Sequence, residues 1–178
     1  MTRVWTSCLV AIAIALAAAW PGDAAADGRG HAIGPRPVWF LTGGGTAGGT
    51  VAAAPRGGYV GGELSLARLA DRRFVGLYAD AYYDFGIDGT YVTLGPELGW
   101  IRRSRTFPIA VGIDGGGVLR AAEERALGVA GRVSLILLGS FSIYGRYAYL
   151  DADEADHVVQ VGVTLKFPLA PPFGAGAR

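Results

Sequence analysis

Seven charged side chains, Glu63, Asp80, Glu97, Asp114, Arg132, Arg146 and Lys166, each stand singly in stretches rich in glycine, small and apolar residues. The four acids come first along the chain and the three bases last, so a closed structure would set an acidic wall against a basic one. Such groups are buried only as hydrogen-bonded pairs, because an isolated charge away from water is prohibitively unstable. The chemistry they imply is an interior ion-pair network, with a proton or small-ion path as the alternative use. Asp151, Asp153, Glu154 and Asp156 crowd the stretch DADEAD beside His157. Clustered carboxylates can hold a hard divalent cation, but the stretch lacks the position pattern and glycine of an EF-hand loop, and a solvated acidic loop is the plainer reading. The segment GGGTAGG, from Gly43 to Gly49, has no Gly-Lys-Ser/Thr ending and is no phosphate loop. A flexible strand end and outer loop is expected there. The histidines are two, His31 and His157, and the catalytic inventory is thin.

The elements that position these groups must come from a chain of 178 residues, enough for one domain. Hydrophobic residues make 51% of it and charged residues 17%, with 29 glycines. High apolar content excludes disorder, and a net charge of +1 speaks against an electrostatic nucleic-acid binder. Residues 1–26 read as a cleaved export signal: Arg3 supplies the positive start, Leu9 to Ala19 the apolar core, and Ala24, Ala25 and Ala26 the small-residue cleavage site. The apolar segment is too short to cross a bilayer as a helix. The one cysteine, Cys8, would leave with the signal, so neither a disulfide framework nor a thiolate metal site is expected.

From residue 38 onward the apolar pattern has a period of two. It predicts eight strands near residues 38–45, 59–69, 74–85, 90–101, 108–120, 126–138, 140–150 and 157–167. The last is the clearest: Val159, Val161, Val163, Leu165 and Phe167 share one face, and Val158, Gln160, Gly162, Thr164 and Lys166 the other. Across strands two to eight one face is apolar and uncharged, while the other carries the seven charges together with Asp84 and Arg120. A soluble sandwich or lipocalin-like barrel would turn the apolar face inward; a membrane barrel inverts the assignment. Small residues with single charges do not make a solvated surface. Aromatics also gather at strand ends, Tyr83, Phe85, Tyr147 and Tyr149 toward one rim and Trp100, Phe141 and Phe167 toward the other, as interfacial girdles do. Closure is then compulsory, since an open sheet edge in lipid strands its backbone polar groups. Even strand number predicts short turns at 70–73, 102–107 and 139–140 on the side of both termini, with Arg72, Arg73, Arg102, Arg103 and Arg105 at that rim. Loops at 43–58, 86–89, 121–125 and 151–156 fall on the opposite side.

These alternating stretches, and the final segment VVQVGVTLKF above all, resemble the small eight-stranded outer-membrane barrels of Gram-negative bacteria, the OmpA and OmpX type. The resemblance covers about residues 38–167. It implies an all-β, eight-stranded antiparallel up-and-down transmembrane barrel, preceded by a periplasmic tail (27–37) and followed by a periplasmic extension (168–178). It also implies a monomer in the outer membrane, contacts with lipid and lipopolysaccharide, recognition by the barrel-insertion machinery, no cofactor and no nucleic-acid partner. Two features depart from the family pattern: eleven residues follow Phe167, and Pro96 interrupts the fourth strand, where a bulge is expected. A structural, membrane-integrity or surface-interaction role is expected rather than catalysis. A lipid-modifying activity would need a serine or carboxylate beside His157, and no His-x-Ser arrangement follows it. An exported soluble barrel holding a small hydrophobic ligand is the reading from a different class.

Overall fold

The computed structural model describes residues 38–52, 56–70, 72–102, 109–137, 140–151 and 156–173. The export signal, the 27–37 tail, Arg103, Arg105, Asp153 and Glu154 lie outside these residues. Eight antiparallel strands follow one another: β1 (Val38–Ala52), β2 (Gly58–Ala70), β3 (Arg73–Asp84), β4 (Gly89–Arg102), β5 (Ile109–Ala121), β6 (Ala126–Leu137), β7 (Phe141–Asp151) and β8 (Asp156–Pro168). Each pairs with its neighbour in sequence, and β1 pairs with β8, so the sheet closes into a barrel. Every strand has 11 residues or more, enough to cross hydrocarbon at a tilt.

Partner to partner, the register runs Phe40, Ala67, Gly76, Glu97, Asp114, Arg132, Arg146 and Gln160, and returns to β1 at Thr50, ten residues beyond its start. A stagger of that size obliges the strands to tilt, by about 35–45° in barrels generally. Four lumenal charges, Glu97, Asp114, Arg132 and Arg146, therefore sit on one continuous circuit of the wall.

The alternation puts leucine, valine and isoleucine outside and charge inside. Leu64, Leu77, Leu94, Val111, Val133, Ile143 and Val163 are exposed on the exterior, while Glu63, Asp80, Glu97, Asp114, Arg132 and Arg146 are all buried. This is the reverse of a soluble barrel, whose apolar faces fill the interior, and it excludes the lipocalin-like reading. A wall apolar around its whole circumference belongs in lipid. The protein is a transmembrane β-barrel.

Two expectations need correction. The glycine-rich stretch 43–49 is not an outer loop: β1 continues through it to Ala52, with register partners on both β2 and β8. Glycine has low strand propensity by itself, but here closure supplies hydrogen-bonding neighbours on either side, and at Gly44 and Gly48 there is no room for a side chain. A Cβ at Gly48 would collide with the Tyr59 ring and the Val161 carbonyl. Pro96 makes no bulge, because Leu94↔Gly117 and Glu97↔Asp114 keep one register on either side of it. The missing N–H interrupts the β4–β5 ladder without adding a residue. A register shift occurs instead between Thr50 and Ala52, opposite β8. Beyond β8 the chain stays against β1. Leu169 donates its N–H to the Leu41 carbonyl at 2.9 Å, and Trp39 and Phe173 exchange backbone bonds at 2.7 and 3.1 Å. Residues 169–173 thus prolong the seam along β1.

Candidate functional site: the charged lumen

Neighbouring strands place like charges side by side. Glu63 stands opposite Asp80, Glu97 opposite Asp114, and Arg132 opposite Arg146. Like charges directly across a ladder repel, so compensation has to come from elsewhere. It comes mostly across the lumen. From β6, Arg132 donates through Nε to both oxygens of Asp114 on adjacent β5, at 2.8 and 3.0 Å, and through Nη1 to Glu63 on β2. From β7, Arg146 pairs with Asp80 on β3, and from β8, Lys166 lies against the other Glu63 oxygen. The acidic stretch of wall formed by β2 to β5 thus meets the basic stretch formed by β6 to β8. The guanidinium planes also face aromatic rings: Arg132 lies 5.0 Å from the Tyr78 ring centre and 5.1 Å from that of Tyr144, and Arg146 lies 4.7 Å from that of Tyr82. Ring faces are electron-rich, so these contacts further stabilise the buried cations.

Sequence reasoning named no tyrosine among the lumenal site residues. Tyr59, Tyr78, Tyr82, Tyr91 and Tyr144 are all buried. Tyr82 and Tyr91 stack with their ring centres 4.9 Å apart, and Tyr59 leans on Tyr82. Tyr59 OH lies 2.8 Å from Tyr144 OH, which shares a 2.6 Å hydrogen bond with Thr46 Oγ1. Tyr82 OH donates to Gln160 Oε1 at 2.9 Å. A signal was present: these tyrosines share the phase of the charges, one position out of step with Tyr83, Tyr147 and Tyr149 on the outer wall.

Along the barrel axis the lumen has three zones. Toward the loop end, Tyr59, Tyr82, Tyr91, Val118, Leu150 and Val158 pack into an apolar cluster, against which Ile87 of the β3–β4 turn rests. Asp84 sits at its edge, accepting from Thr50 Oγ1 at 2.7 Å and from the Gly86 N–H at 2.8 Å. Arg120 and Asp156 pair at 2.7 Å near the same end. The middle zone is the ion-pair network. Toward the turn end the lumen opens into a vestibule of about 260 Å³.

The remaining expected residues lie elsewhere. Tyr83, Phe85 and Tyr147 are exposed on the exterior toward the loop end, and Trp100 and Phe167 toward the turn end; Tyr149 and Phe141 are half-buried on the same outer wall. Tyr83 OH donates to Asp88, whose φ of 51° closes the tight β3–β4 turn. His157 Nδ1 shares a 2.6 Å hydrogen bond with Tyr147 OH and its ring lies 5.3 Å from that of Tyr149. Of the acidic loop, Asp151 is exposed and Asp156 is taken up by Arg120. Among the described residues no group of three or more His, Cys, Asp or Glu is placed to hold a metal.

No family model and no curated protein sequence matches the chain. Solved structures do. The chain is similar to Neisserial surface protein A, with a TM-score of 0.49 and 9% identity over 72% of this chain and 97% of that one. It is similar to the Yersinia pestis outer membrane protein Ail in a phospholipid bilayer nanodisc, with a TM-score of 0.40 and 13% identity over 74% and 99% of the two chains. It is also similar to the N-terminal β-barrel domain of Pseudomonas aeruginosa OprF, with a TM-score of 0.36 and 13% identity over 75% and 99%. At these levels of likeness the fold rests on the closed register and the apolar exterior described above.

Proposed function

We propose that the protein is a monomeric outer-membrane barrel, exported by a cleaved leader at residues 1–26, that serves membrane integrity or surface interaction and conducts no solute. The observation that supports this reading is the filled lumen: Arg132 bridges Glu63 and Asp114 across its middle while the tyrosine cluster occupies its loop end. A barrel of eight strands has room for its own side chains or one small ligand and not for an aqueous channel, and breaking these pairs to pass an ion would expose buried charge. The exterior aromatics then act as two interfacial girdles: Tyr83, Phe85, Tyr147 and Tyr149 at the lipopolysaccharide level, Trp100, Phe141 and Phe167 at the periplasmic level. The outward row of β8, ending at Phe167, is the segment the barrel-insertion machinery would read. Planar-bilayer recording with the purified protein tests the plug: no steady conductance is expected, and a stable ohmic pore would refute it. Fractionation tests the location, with recovery only in detergent-extracted membranes expected and a detergent-free soluble pool contrary to it.

A further inference from the structure

We propose that the turn-end vestibule is a binding site for a small organic cation, a primary ammonium carrying a short apolar body. The cavity, about 260 Å³, is walled by Ala67, Phe74, Ala110, Gly112 and Ile136 and meets the ion-pair network at its inner end, where Glu97, Asp114, Arg132 and Lys166 line it. The charges there do not balance. Arg132 is already shared by Glu63 and Asp114, and Lys166 is held by Glu63. Glu97 is 5% exposed, receives the Ser65 hydroxyl, and makes no ion pair among the described residues. Three carboxylates, those of Glu63, Glu97 and Asp114, therefore face two bases.

That surplus selects the ligand's chemistry. An anion would meet both bases already engaged and one carboxylate unopposed. A neutral apolar molecule would fit the walls but leave the buried Glu97 carboxyl with the Ser65 hydroxyl as its one hydrogen-bond partner among the described residues. An ammonium brings three donors on a compact charge, able to reach Glu97, while a short alkyl chain lies along Ala67, Ala110 and Gly112. Ligand sites commonly combine mostly apolar walls with one or two convergent polar groups, and this vestibule has that form. The ion-pair plug stays intact beneath the ligand, so the site does not depend on whether the barrel's main role is structural.

The test is a titration of the isotope-labelled full barrel in lipid nanodiscs with n-butylammonium, n-butanol and butyrate, following the resonances of Ala67, Ala110 and Ser134. Saturable shifts with butylammonium alone are expected. Glu97→Gln keeps the shape and the Ser65 contact and should weaken binding at least tenfold. Ala110→Leu keeps the carboxylate but fills the cavity and should abolish binding, which supplies a second reading if Glu97→Gln fails to fold. The absence of saturable shifts, equal binding of butanol or butyrate, or unchanged affinity in a folded Glu97→Gln barrel would each overturn the proposal.

Discussion

Replacing Arg132 by alanine is the most direct probe of the lumenal network. The side chain is 4% exposed, and its removal leaves Asp114, equally buried, with no cation in contact. Glu63 loses one partner but retains Lys166, so the damage concentrates on Asp114. Removing one member of a buried ion pair costs about 3–5 kcal/mol, most of it from the stranded charge. The stacking of Arg132 on Tyr78 and Tyr144 falls within that figure and is not added to it. At about 1.4 kcal/mol per decade, the folding equilibrium should drop by roughly two to four decades. Reversible urea unfolding in lipid vesicles, with wild type and variant compared at equal m-value, reads this directly. Pairing the substitution with Asp114→Asn removes the stranded charge and should recover a substantial part of the loss. Arg132→Lys should fall between, since one ammonium cannot reproduce the planar fork that engages Asp114 and Glu63 together. A loss below about 1 kcal/mol for Arg132→Ala, or no recovery with Asp114→Asn, would refute the claim that this network stabilises the barrel.

Two further substitutions separate the wall from the lumen. Leu94→Arg, on the exposed apolar exterior, should cost about 2–4 kcal/mol in the same vesicle assay, the depth-dependent cost of placing a guanidinium in hydrocarbon; a neutral result would mean that this face is not in lipid. Gly48→Ala puts a methyl group against the Tyr59 ring and should cost about 1–3 kcal/mol, whereas Gly117→Ala meets nothing within 4 Å and should stay within about 0.5 kcal/mol of wild type.

Much of the wall was legible from residue order alone. β8 alternates from Val159 to Phe167 without a break, and the observed strand Asp156–Pro168 extends the expected 157–167 by one residue at each end. The phase of Glu63, Asp80, Glu97 and Asp114 opposite the leucines already marked them as one face. β1 was harder to see, because its stretch from Gly43 to Gly49 is mostly glycine and carries no alternation to read. Its strand character comes from the partners that closure supplies and from Tyr59, which occupies the space a side chain at Gly48 would need. Tyr82 and Tyr83 are neighbours in sequence, and alternation sets them on opposite faces; the closed wall makes the first face lumen and the second lipid.

The alternation, the turn spacing and the absence of charge on one face are local properties, and by themselves they determined eight two-faced strands; that the apolar face turns outward was decided by the closed sheet. Pairing inside the barrel is not local. Arg132 meets Glu63, 69 residues away, because the register staggers by ten positions around the closed sheet and brings β6 and β2 to facing walls at that depth. The same stagger leaves Glu97 without an ion pair among the described residues and opens the vestibule below it. Side-chain period says which way a residue points; only closure, shear and lumen width say what it meets there.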